Sequence, residues 1–155
     1  MPPHAGRVAQ DQRHYAAPLE LLKIMDGRTG RVLILEDDED RCYWFRRHLS
    51  AREHDVTCDI PEAIKWLETH NYDTILLDHD LTEEHYYSDA HDDEATGYAI
   101  ASWLAEHPER QPNATIVIHS LNYVGAKRML QVLRNAGRAA EHVPFPYLQA
   151  GLLIK

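Results

Sequence analysis

Three short runs along the chain are apolar at nearly every position: Val32–Leu35, Ile75–Leu77 and Thr115–Ile118. Runs this short, without alternation, mark strands buried on both faces rather than half-exposed strands or helices. Two weaker segments, Val56–Cys58 and Ala140–Val143, read as further strands. Between them the spacing turns helical. Trp44, Phe45 and Leu49 fall on one stripe between Arg41 and Ser50. Ala63, Ile64 and Leu67 do the same in a helix opened by Ile60-Pro61-Glu62 and running to His70. Thr96-Gly97 leads a third helix, with Tyr98, Ile100, Ala101 and Leu104 inward and a stop near Pro108. Asn122 is placed to cap a fourth that ends at Asn135–Gly137.

Strand and helix alternate, and each central strand is solidly apolar. This predicts a parallel sheet covered by helices on both sides. Five strands in this order imply a flavodoxin-like, three-layer α/β fold over residues 31–149, with strand order 2-1-3-4-5. Residues 1–30 read differently. They form a polar N-terminal extension, expected to be partly disordered, with one short helix from Pro18 to Met25. A long polar stretch, Leu81 to Glu94, interrupts the regular pattern.

Composition narrows the picture only a little. The chain has 155 residues, 44% of them apolar and 26% charged, as in an ordinary single soluble domain. No apolar run approaches the roughly 20 residues of a membrane span, and the first ten residues have no secretory core. A cytoplasmic protein without a membrane partner is expected. The net charge of −9 argues against an extended nucleic-acid surface but leaves room for a small phosphorylated ligand. Cys42 and Cys58 lack metal spacing and are expected to be buried free thiols. Of eleven histidines, His4, His14, His48, His54 and His70 belong to no visible constellation.

The polar residues that follow the strands carry the chemistry. Glu36-Asp37-Asp38 follows the first strand, Asp78-His79-Asp80 the third and His119-Ser120 the fourth. In folds of this kind, ligands bind beyond the C-terminal strand ends, where strand order reverses. The first and third strands are neighbours there, so Glu36, Asp37 and Asp78 should converge. Three carboxylates so close need a cation or a proton, and hard oxygen donors suit Mg²⁺ or Mn²⁺. Asp78 could act as a nucleophile toward a phosphoryl group, with Ser120 donating to a phosphoryl oxygen.

An acidic pair, a central aspartate and a serine in this order resemble the receiver domains of two-component signalling, over roughly Arg31 to Leu148. Receivers carry a lysine ahead of Pro-Phe at the end of the fifth strand; here Val143 stands before Pro144-Phe145. The loop between Asp78 and Gly97 is also longer than in receivers. Leu77–Leu81, Thr96–Tyr98 with Trp103-Leu104, and His119–Asn122 with Gly125 and Met129 together resemble the cyclic-phosphate-processing receiver family. That resemblance implies a site made of Asp78, His79, Asp80, His119, Ser120 and Asn122, acting on cyclic phosphates or related phosphoesters. Asp80 thereby joins Glu36, Asp37 and Asp78 as a metal-ligand candidate.

If Asp78 and Ser120 point into one site, His79 and His119 share the same strand parity and face each other, as an acid–base pair would. His85 and His91, in the long acidic loop, are further ligand candidates if that loop is a lid. Gly125, Lys127 and Arg128 fall near the start of the fourth helix. With Asn122, Lys127 is a candidate for holding a phosphate at a helix N-terminus. Two function classes follow. One is a metal-assisted phosphoesterase acting on a cyclic nucleotide or related small phosphate. The other is a signalling module, phosphorylated on Asp78 or binding a protein partner only.

Overall fold

The computed structural model describes residues 27–82 and 93–153. The five strands are β1 (Val32–Leu35), β2 (His54–Thr57), β3 (Thr74–Leu77), β4 (Thr115–Ile118) and β5 (Ala140–His142). The helices are α1 (Glu39–His48), α2 (Ile60–Thr69), α3 (Gly97–Glu106), α4 (Tyr123–Asn135) and α5 (Phe145–Leu153), with a 3₁₀ turn at Asp93–Ala95. All strand pairs are parallel, in the order β2-β1-β3-β4-β5. The flavodoxin-like prediction is therefore correct.

Helix boundaries follow local chemistry. Asp38 caps α1 by accepting from Arg41 N at 2.9 Å, and Asn122 caps α4 by accepting from Gly125 N at 3.0 Å. Helix α5 was not anticipated, because Pro144-Phe145-Pro146 reads as a breaker. Pro146 falls in the first helical turn, where its missing N–H costs nothing. The short helix expected at Pro18–Met25 lies outside the described residues, as do His85 and His91.

Side chains along the strands alternate between two cores. Leu33, Leu35, Ile75, Leu77, Ile116 and Ile118 pack under α2, α3 and α4. Val32, Ile34, Leu76 and Val117 pack with Phe45 of α1, Leu49 at its C-terminal cap and Leu148 of α5. Strands sandwiched this way have no polar face, which explains the unbroken apolar runs. Among the described residues, no helix is long and apolar enough to cross a membrane. The expectation of two buried thiols fails: Cys58 is exposed, just past the end of β2, and Cys42 is only half-buried on α1. Burial, then the nearby Glu36, pushes the Cys42 thiol up to about 11.

The N-terminal strand ends are tied by polar bonds. Asp73 Oδ2 accepts from Gly30 N at 2.7 Å, and Arg28 Nη1 donates to Asp73 O and Asn113 O at 2.9 and 2.8 Å. Arg52 also pairs with Asp73 and donates to Thr74. A Cβ on Gly30 would lie 2.3 Å from Asp73 Oδ2, so glycine is needed for this approach. The opposite pole holds the polar strand ends.

Candidate functional site

Strand parity places Glu36, Asp78 and His119 together. The ladders align Leu35 with Leu77 and Leu77 with Ile118. One residue further, Asp78 N donates to Leu35 O and His119 N donates to Leu77 O. Each of the three side chains continues the series facing α1 and α5, and each is buried. Ligand atoms from Glu36, Asp78 and His119 all lie within 4.8 Å of one another.

Glu36 is surrounded by donors. Its Oε1 accepts from Asp37 N, Asp38 N and Arg41 Nη2 at 3.1, 3.0 and 3.0 Å, and its Oε2 lies 2.8 Å from His119 Nε2. Burial works against the carboxylate, but the His119 and Arg41 interactions outweigh it and hold its pKa well below the usual range. Asp78 is in the opposite position. Its Oδ1 accepts from His79 N at 2.8 Å, while Oδ2 makes no hydrogen bond and sits 3.5 Å from Arg41 Nη2. Burial first, then the charge of Glu36, raises its pKa well above the ordinary value. The surroundings thus shift two neighbouring carboxyl groups in opposite directions, Glu36 down and Asp78 up.

His119 bonds Glu36 through Nε2, and its buried Nδ1 has no hydrogen-bond partner. Its ring packs edge-on against Phe45, with centroids 5.1 Å apart. With Nε2 held by Glu36, the ring is fixed and Nδ1 is the nitrogen left for a ligand, the arrangement that orients a metal-binding histidine.

The two histidines do not face each other. Asp78, not His79, is level with His119, so Asp78 and His119 share a face and His79 falls on the other. There His79 Nδ1 bonds Asp80 Oδ1 at 2.7 Å, and Asn122 Nδ2 reaches Asp80 Oδ1 at 3.2 Å. A Cβ on Gly125 would lie 2.4 Å from His79 Cδ2, so glycine at this point of α4 is what admits the imidazole. Likewise, a Cβ on Gly97 would lie 1.8 Å from the Asp78 carbonyl oxygen. Ser120 belongs with this second group: its Oγ accepts from Asn122 N at 3.0 Å, and its carbonyl bonds His142 Nε2 at 2.9 Å.

Asp37 and Asp80, expected as metal ligands, stand outside the convergent group, and His119 takes a place in it instead. Lys127 is exposed on α4. Arg128 is committed to Asp93 by two bonds of 2.8 and 2.7 Å and lies over Tyr98, 4.6 Å from the ring centroid. Arg41 was not anticipated. The signal was its position: the cap at Asp38 starts α1 so that the first turn brings residue 41 back over Glu36.

Two carboxylates and an imidazole, with Asp78 Oδ2 and His119 Nδ1 making no hydrogen bond, fit a divalent metal. A family model described as the cyclic-phosphate processing receiver domain matches residues 32–135. No curated protein sequence matches. Among solved structures, the receiver domain of the Pseudomonas aeruginosa sensor histidine kinase PA1611, with magnesium coordinated in its active-site cleft, is 20% identical, with a TM-score of 0.56. That match covers 81% of this chain and 93% of the other. Vibrio cholerae chemotaxis protein CheY4 is 16% identical with a TM-score of 0.58, over 81% and 94% of the two chains. A CheY-like receiver domain from Methanospirillum hungatei is 18% identical with a TM-score of 0.56, over 81% and 89%.

Proposed function

The chain belongs to the cyclic-phosphate processing receiver family, and on that footing we propose that its strand-end cluster binds a divalent metal and processes a cyclic phosphate or related phosphoester. The observation that carries this reading is the convergence of buried Glu36, Asp78 and His119, with Asp78 Oδ2 and His119 Nδ1 making no hydrogen bond. A nitrogen among the donors favours Mn²⁺ over Mg²⁺ relative to an all-oxygen set. When bound, the metal supplies charge neutralisation at phosphoryl oxygens and an acidified water.

The chain's own residues do the rest. Glu36 holds the His119 ring through Nε2, which leaves Nδ1 turned away from it and without a hydrogen-bond partner. Burial and the charge of Glu36 favour the protonated form of Asp78, whereas holding a divalent ion would need its carboxylate, so metal affinity should rise with pH. The N-terminus of α4, capped by Asn122, would favour an anion, and Lys127 is an exposed cation of the same helix. Hydrolysis of a 2′,3′-cyclic nucleotide would form a bond from water oxygen to phosphorus and break one phosphorus–ribose oxygen bond. The water's proton leaves to a base, and another is delivered to the ribose oxygen.

The test is turnover of 2′,3′-cyclic nucleotides with Mg²⁺ or Mn²⁺ by the full chain, beside His119→Ala. Hydrolysis that disappears in the variant supports the reading; no hydrolysis with either metal overturns it. The alternative is a receiver or pseudo-receiver module with a signalling protein as partner. Asp78 at the end of β3 favours it, while buried Val143 at the lysine position weighs against stable phosphorylation. Mass labelling of Asp78 by acetyl phosphate, without hydrolysis, would select it.

A further inference from the structure

The cluster already contains a cation. Arg41 Nη2 lies 3.0 Å from Glu36 Oε1 and 3.5 Å from Asp78 Oδ2, bridging the two carboxylates that a metal would need. A divalent ion takes such oxygens at about 2.0–2.6 Å, so an ion held by Glu36 and Asp78 would compete with this guanidinium for the same two carboxyl groups. Arginine stays charged at any working pH, so it cannot yield by losing a proton. It can yield only by moving, and its side chain is 21% exposed, which leaves a route outward.

We propose that Arg41 is the resident counter-cation of this site and that a divalent metal binds by displacing it. The inference rests on the metal-binding part of the reading above. Three observations support it independently of any turnover. Arg41 reaches both carboxylates from α1, an element that carries none of the three converging side chains. Asp78 Oδ2 makes no hydrogen bond and has Arg41 Nη2 3.5 Å away. Glu36 Oε1, which Arg41 contacts, is also held by two backbone N–H groups, so the carboxylate stays in place when the guanidinium leaves.

The experiment is Mn²⁺ binding to the full chain, read from the electron paramagnetic resonance signal of free Mn²⁺, for wild type, Arg41→Gln and Arg41→Lys. Arg41→Gln should bind Mn²⁺ more tightly than wild type by about ten-fold or more, and Arg41→Lys should stay near wild type. The melting temperature of Arg41→Gln should also rise more on adding Mg²⁺ than that of wild type. Equal or weaker Mn²⁺ binding by Arg41→Gln overturns the proposal.

A measurement on wild type guards against a variant that does not fold. The Arg41 Nε–H resonance, assigned by its absence in Arg41→Lys, should shift and sharpen toward a free arginine as Mg²⁺ saturates. A resonance unmoved at saturation, or no saturable metal binding, also overturns the proposal. Unchanged metal affinity with intact hydrolysis would sink the competition alone. Tighter binding by Arg41→Gln without hydrolysis would sink the phosphoesterase alone.

Discussion

Glu36 Oε2 and His119 Nε2 lie 2.8 Å apart, so β1 and β4 are joined at their ends across the intervening β3. Neither residue is near the other in sequence, and both side chains are almost fully buried. The bond therefore serves the sheet as well as the site. His119→Ala should lose about 1–3 kcal/mol of stability, because it leaves Glu36 Oε2 buried without its donor. Denaturant titration measures this. An unchanged midpoint would show that the bond carries no net stability.

Asp78→Asn should stabilise the metal-free protein. Burial and the charge of Glu36 raise the folded-state pKa of Asp78 above its unfolded value. The folded chain thus holds this proton more tightly, and stability falls as pH rises from the ordinary carboxylate range through the raised value. Asparagine has no such titration. In chelator at pH 7 the variant should gain about 1–3 kcal/mol, and the gain should vanish below about pH 4. Glu36 has the opposite sign: its lowered pKa contributes stability that is lost as pH falls. Melting curves across pH decide the matter; a gain that persists in acid contradicts it.

Gly97→Ala should be the more damaging of the two glycine substitutions at the site. Its Cβ meets backbone, the Asp78 carbonyl oxygen, whereas that of Gly125→Ala meets a side chain that can turn aside. We expect about 3 kcal/mol or more for Gly97→Ala and about 1–3 kcal/mol for Gly125→Ala. Removing the obstructing ring should undo part of the second loss, so His79→Ala and Gly125→Ala should be strongly non-additive. Strict additivity would mean that the ring is not what the new methyl meets.

Arg128→Ala should cost at most about 1 kcal/mol in a thermal or denaturant melt, because its pair with Asp93 is roughly half exposed. The same variant should leave turnover unchanged, since both of its nitrogens that could grip a phosphate are held by Asp93. A large loss of activity would add Arg128 to the substrate-binding candidates.

Most of the fold was readable because a strand buried on both sides leaves an unmistakable record. Ile75–Leu77 and Thr115–Ile118 could be nothing else at that length and spacing. Their polar ends located the site for the same reason. The partnership within it was not readable. Whether Asp78 stands level with His119 or with Ser120 depends on where β4 starts against β3, a register set by packing between distant segments. An offset of one residue sends every side chain to the opposite face. The sequence reading placed Ser120 with Asp78, and the observed ladder places His119 there. Arg41 escaped notice for a different reason. On a helical stripe it reads as a solvent-facing residue, and only the turn started by Asp38 brings it over Glu36. Helix α5 was hidden by prolines that look like punctuation until the first turn is seen to tolerate one.

Arg28 and Gly30 fasten the chain to Asp73 and Asn113 at the N-terminal pole of the strands, a sheet's length away from Glu36, Asp78 and His119. Attachment through the residues ahead of Arg28 therefore begins on the far side from the cluster. A tether fixed at Arg28, on a sensor chip or a resin, would therefore load the pole opposite the three converging side chains.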